Sequence, residues 1–228
     1  MNENSIDRGL AALALGMMLW GAYYGLVTAP PERAMGDVYR IMYVHVPAAW
    51  LTLVAFAVNL IASLAYLLGR GGLLADAVAE ASAEIGVLFN LLLLITGSIW
   101  GKVTWGVWWT WDPRLTTAAI MFFCFAGYLA LRSFVDDHGQ RATWSAVVAI
   151  IIFADVPIVW FSVKWFNSLH QLQSSPATVA PQMVTALRLN AFAFLAVYAY
   201  FMRLRLRQGL FRLGAEQAPV PLQAGETP

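Results

Sequence analysis

The residues with the most chemistry in this 228-residue chain are three histidines and one dense run of tryptophan. The run, WGKVTWGVWWTWDPRLT at 100–116, holds Trp100, Trp105, Trp108, Trp109 and Trp111 and leads into Asp112 and Arg114. Tryptophans that anchor a helix at a membrane surface sit at the interface, usually singly, as expected here for Trp20, Trp50, Trp144 and Trp165. Five within twelve positions, interrupted by Gly101 and Gly106 and closed by Pro113, exceed what anchoring needs. With a helical turn, Trp105, Trp108, Trp109 and Asp112 would share a face at spacings of three and four. Such a face is a flat apolar platform, and flat apolar platforms suit flat apolar ligands.

The histidines suggest which ligand. His45 lies in RIMYVHVPAAW and His170 in KWFNSLHQ, 125 residues apart, on two loops expected on the same side as the tryptophans. Neutral imidazole is the commonest metal ligand, and a pair flanking a planar macrocycle can hold haem iron from both faces. Arg40, Lys102 and Arg114 share that side and can pair with haem propionates or with lipid phosphates. His138, in DDHGQ, falls in an opposite-side loop and is expected to be a solvated surface residue. A structural zinc site wants four ligands, so two histidines without a cysteine beside them are too few. The lone Cys124 allows no disulfide within the chain, and no CxxCH haem-attachment pattern exists. GSIWGK lacks a spacer residue of a phosphate loop, so no ATPase site is read, and no nucleic-acid partner is expected.

These residues must be positioned by membrane helices. The chain is 60% hydrophobic and 12% charged, against roughly 45–50% and about 25% in soluble domains. Six apolar runs are long enough to cross a bilayer: 10–29, 46–68, 83–100, 115–131, 144–163 and 184–202. The reading is an all-α integral membrane protein with six transmembrane helices. One haem-handling domain is read over 1–207, and 208–228 is expected to be a disordered cytoplasmic tail. Six spans put both termini on one side, and that side carries eight of the fourteen Lys and Arg residues, including RLRLR at 203–207. Both termini are therefore expected in the cytoplasm, with the tryptophan loop outside, between helices 3 and 4.

Other polar residues have bland readings. Asp76, Glu80 and Glu84 recur every four residues and are expected to form a solvated helix face, with docking of a cytoplasmic partner as the alternative. Asp155 lies mid-span near Pro157 and should be neutral, paired or facing a cavity. Asn59, Asn90 and Asn190 are candidates for hydrogen bonds between helices or for a functional cavity, and GSIWG at 97–101 fits small-residue helix packing.

The tryptophan run resembles the WWD motif of haem-handling membrane proteins. The match covers Trp100, Gly101, Trp105, Gly106, Trp108, Trp109, Trp111, Asp112, Arg114, Leu115 and Thr116. Over residues 10–207 the chain is similar to the CcmC family of bacterial cytochrome c maturation, with Lys164 departing from an expected acid. The resemblance implies an inner-membrane protein that binds haem b as cargo, with His45 and His170 as axial ligands. It implies presentation of that haem to a periplasmic CcmE-like chaperone, whose own histidine bonds covalently to a haem vinyl. It also implies CcmA- and CcmB-like subunits of an ABC transporter to supply ATP energy, a small single-span CcmD-like subunit, and contact with membrane lipid. The alternatives are a haem permease, a cytochrome c synthase-like ligase, and a scaffold that binds lipid or peptide. A conventional enzyme is the weaker reading.

Overall fold

The computed structural model describes residues 3–171 and 179–216, so part of the expected loop at 164–183 and the chain end at 217–228 lie outside the described residues. Among the described residues seven α-helices follow in order: α1 Glu3–Tyr23, α2 Met42–Leu67, α3 Gly72–Trp105, α4 Pro113–Phe134, α5 His138–Phe153, α6 Asp155–Trp165 and α7 Pro181–Glu216. A short π turn at Tyr24–Thr28 extends α1, and a 3-10 turn at Asp37–Ile41 leads into α2. Within the described residues six continuous spans are long and apolar enough to cross a membrane, α5 and α6 together forming the fifth. No strand runs through the described residues. The chain is an integral membrane protein built as a six-span helical bundle.

Two breaks are written locally. Pro157 has no N–H for the carbonyl four residues back, and its ring crowds that carbonyl, so the fifth span divides at Ala154. Asp155 therefore opens α6, with Oδ2 buried and without a hydrogen-bond partner. Gly106 stops α3 because its φ of +79° lies in the left-handed region that favours glycine.

The helices approach closely at small residues. A Cβ on Gly86 would stand 2.5 Å from the Phe56 ring, so only glycine lets α3 lie against that side of α2. Phe56 in turn stacks on Phe125 of α4, with ring centroids 3.6 Å apart. The three asparagines bond across helices. Asn59 donates to the Ala79 carbonyl at 2.8 Å, Asn90 to Ala118 at 3.3 Å and Asn190 to Gly21 at 3.0 Å. In a lipid-filled exterior such bonds hold helices where apolar burial gives no net drive.

At the end holding the chain's N-terminus, the structure corrects three expectations. The acidic stretch is no solvated face. Arg132 of α4 donates to both oxygens of Asp76 at 2.7 and 3.0 Å and to Glu80 at 3.1 Å, with both side chains of the Arg132–Asp76 pair almost wholly buried. Nor is His138 a free surface residue, because its Nε2 lies 3.3 Å from Asp76. The boundary at 207 also moves, since α7 runs on to Glu216. Arg205 and Arg212 reach Glu84 and Glu80, Arg141 meets Glu216, and Leu213 is fully buried. Opposed arginines on α4 and α7 neutralise the acids, and that pairing is what allows charged turns to pack as helix.

Arg132→Leu is expected to destabilise the bundle by about 3–5 kcal/mol, because it strands the buried Asp76 carboxylate and takes from Glu80 one of its two arginine partners. The check is the thermal unfolding midpoint in detergent, and an unchanged midpoint would remove the network's structural role.

Candidate functional site

Helix α3 runs into the tryptophan segment, which then leaves the helix. Lys102 Nζ caps the turn by donating to the Gly106 carbonyl at 3.0 Å, and Ser98 Oγ donates to the Trp108 carbonyl at 2.8 Å. Residues 106–112 are therefore a loop folded back over the end of α3, and the shared helical face expected for Trp105, Trp108, Trp109 and Asp112 does not form. The physical reason is Gly106, which turns the backbone before the periodicity can be used. Asp112 then starts α4 as its N-cap, accepting from the Arg114 N–H at 2.9 Å, with Pro113 in the first helical turn.

The loop roofs a cavity between α2, α3, α4 and α6. His45 and His170 face into it, with Trp105, Trp109 and Arg114 among its walls. The two imidazole rings lie with centroids 6.5 Å apart and planes inclined by 28°. Trp105 presents its ring edge-wise to His170 at 6.4 Å. Trp100 also borders the cavity, but it is buried and packs its edge against Tyr39 at 6.2 Å, so it serves the core as well. Trp108 and Trp111 do not line the cavity. They border a separate groove on the outer face of α3 and α4, where Trp111 is 82% exposed.

Both histidines are held by their Nδ1 atoms. His45 Nδ1 lies 2.9 Å from Thr96 Oγ1. The carbonyls of its own helix are acceptors for the single Thr96 hydroxyl proton, at 2.7 Å from Leu92 and 3.2 Å from Leu93. With the proton on one of them, Thr96 turns a lone pair to His45, whose Nδ1 then carries the hydrogen. His170 Nδ1 lies 2.8 Å from the Gln171 carbonyl, which can only accept, so it too carries the hydrogen. In neutral rings this leaves Nε2 of each with a free lone pair, the form in which imidazole binds a metal. Burial, with Arg114 adding to it, holds His170 below the ordinary imidazole value of 6.5, against the opposing pull of the Gln171 carbonyl and Asp112. The neutral ligand form is favoured.

Asp112 does not line the cavity. Its carboxylate accepts from Ser168 Oγ at 3.1 Å and from the Leu169 N–H at 2.7 Å, and Ser168 Oγ accepts from the His170 N–H at 3.0 Å. The aspartate of the motif thus ties the histidine loop to the start of α4. The three expected cations also separate. Arg114 borders the cavity and has a buried Nη1 without a hydrogen-bond partner. Arg40 is engaged by Asp37 at 2.8 Å and by the Gly25 carbonyl at 2.7 Å, and Lys102 by Gly106. Neither lines the cavity.

Sequence reasoning passed over four participants. Thr96 fixes the His45 tautomer, and Gly97 makes room for it, since a Cβ there would stand 3.1 Å from His45 Cε1. The small residue at 97 thus accommodates an imidazole rather than a helix backbone. Trp50 borders the cavity instead of serving only as an interface anchor, and Trp160 of α6 closes another side. Trp50 had a signal: with Met42, His45, Val46, Ala49 and Leu53 it falls on one face of α2 at helical spacing.

Residues 3–220 match the family model described as heme exporter protein C. A heme exporter protein C from Bradyrhizobium diazoefficiens is 36% identical over 89% of this chain and 78% of its own length. Its counterpart in Haemophilus influenzae is 37% identical over 91% of this chain and 85% of its own length. A ccmC-like mitochondrial protein of cytochrome c biosynthesis from Marchantia polymorpha is 38% identical over 72% of this chain and 66% of its own length.

Proposed function

The chain belongs to the heme exporter protein C family, haem-handling membrane components of cytochrome c maturation, and on that premise we propose that it holds haem b as cargo between His45 and His170 and presents it for loading onto a periplasmic chaperone. The observation that carries the reading is the pair of buried-side imidazoles with free Nε2 lone pairs, 6.5 Å apart across one cavity. Two imidazoles bound to one metal at about 2 Å each hold their ring centroids roughly 6 Å apart. The donor set therefore fits a bis-histidine iron. Trp105 and Trp109 offer apolar ring surface to the macrocycle, and the unpartnered Nη1 of Arg114 is the cation best placed for a propionate. Arg40 and Lys102 are left to hold the outer turns.

In this reading both termini are cytoplasmic, the histidine end faces the periplasm, and the membrane is the bacterial inner membrane. The division of labour follows: an ABC transporter of CcmA- and CcmB-like subunits supplies ATP energy, and a CcmD-like single-span subunit completes the complex. This chain's own residues bind the cargo, orient it and keep water from the iron.

The test is transfer. The haem-loaded protein is mixed with the purified apo-chaperone, and covalently haem-bound chaperone is followed by haem staining. Holo-chaperone is expected to form from wild type; none forming from a fully loaded donor would contradict presentation. Trp105→Ala removes an aromatic contact of about 0.5–1.5 kcal/mol and is expected to weaken haem retention several-fold. Trp111→Ala, outside the cavity, is expected to leave retention at the wild-type level.

A further inference from the structure

The groove that Trp108 and Trp111 border runs along the lipid-facing side of α3 and α4. Its other walls are Ile95 and Ile99 of α3 and Ala119 and Phe123 of α4. Phe123, Trp108, Ile95 and Ile99 are all exposed large apolar residues within membrane-spanning helices or the loop that joins them. Three residues, Leu94, Ser98 and Trp109, line this groove and the histidine cavity at once. They are the partition between the two.

That partition is thin and partly built of loop. Leu94 and Ser98 are fixed on α3, whereas Trp109 belongs to the loop over 106–112 and is 38% exposed. The loop is pinned to α3 by the Ser98–Trp108 and Lys102–Gly106 hydrogen bonds. Trp109 meets Trp111 edge-to-face at 6.0 Å, so its ring borders the groove mouth as well as the cavity wall. A rotation of one indole would join a lipid-facing slot to the space between the histidines.

We propose that this α3–α4 groove is a side entrance, through which a planar apolar macrocycle passes between the bilayer leaflet and the His45–His170 cavity, with Trp109 as the movable partition. The proposal rests on the haem-binding reading above. Both faces of such a slot suit the cargo: apolar walls for the ring, and Arg114 beyond the partition for its carboxylates. A macrocycle arriving from lipid then needs no crossing of water.

The experiment uses the full chain in phosphatidylcholine nanodiscs with haemin supplied in two ways, dissolved in the bilayer or delivered from albumin in the aqueous phase. Loading is followed by the rise of the bis-imidazole absorbance. Ala119→Trp fills the groove without touching the cavity, and is expected to slow loading from the bilayer by about tenfold or more, with the final spectrum and the albumin-supplied rate unchanged. Phe123→Ala widens the same groove and is expected to speed bilayer loading. Unchanged bilayer rates in these variants, with a normal final spectrum, would overturn the side entrance alone. A wild-type absorbance change that persists in the His45→Ala, His170→Ala double variant would instead overturn the haem site, and the entrance with it.

Discussion

Replacement of His45 or His170 by Ala is expected to cost more haem retention than any other single change in this protein. Loss of a group that merely supports a metal ligand lowers affinity by about 10–100-fold, and loss of the ligand itself should exceed that. Each single variant leaves one imidazole, so residual haem should be weakly held and five-coordinate or water-ligated. The double variant should copurify with haem only at the level of the empty membrane. Neither substitution breaks the bundle: His45 makes one side-chain hydrogen bond, to Thr96, and His170 bonds only its neighbour Gln171 through its ring. Unfolding midpoints near wild type would confirm that the loss is one of ligation. Full haem content in the double variant would remove the axial assignment.

The second large effect is expected at Asp112, for a different reason. Its carboxylate caps α4 through Arg114 N–H and holds Ser168 and Leu169, the two residues that precede His170. An N-cap contributes about 1 kcal/mol, and hydrogen bonds to a charged group about 1.5–3 kcal/mol. Asp112→Ala forfeits both and frees the segment carrying His170, so haem affinity should fall by about 10–100-fold. Asp112→Asn keeps a good cap but turns an amide NH2 toward the Leu169 N–H, which needs an acceptor, and should fall between wild type and Ala. The decisive control is the His170→Ala background. If Asp112 acts by positioning His170, Asp112→Ala should lower haem retention little further there, because residues that share one task are not additive. A full additional loss would show that Asp112 acts on the cargo by some other route.

Much of this architecture was legible because lipid imposes a simple pattern: long apolar runs, glycine where a helix must stop, an aspartate and a proline where the next begins. Gly106 and Asp112 sit where those rules put them, yet the face expected for Trp105, Trp108, Trp109 and Asp112 carried a helical turn straight through the loop between them. The edges that moved did so through charge pairing. Hydropathy treats Asp76 and Glu80 as outside the membrane helix, and nothing in the local sequence shows that Arg132, 52–56 residues away, neutralises them inside the bundle. The same blindness set the boundary at 207, where Arg212 and Glu216 extend a packed helix.

The gathering of His45, His170, Trp105, Trp109 and Arg114 at one cavity was legible from their expected shared side; the place of the remaining candidates was not. Two histidines and a crowd of tryptophans suggest a flat metal-centred ligand, yet composition cannot separate Trp105, which meets His170, from Trp111, which borders the outer groove. The backbone reversal at Gly106 makes that division. Thr96 and Gly97 were invisible for a related reason: each matters only because α2 brings His45 beside them, a contact 51 residues distant in the chain.

The most direct test of the central claim is the electron paramagnetic resonance spectrum of the purified, haem-loaded ferric protein. The account predicts a low-spin signal of bis-imidazole type that converts to high spin in His45→Ala and in His170→Ala alike. A high-spin signal in wild type, or a low-spin signal that survives both substitutions, would contradict it.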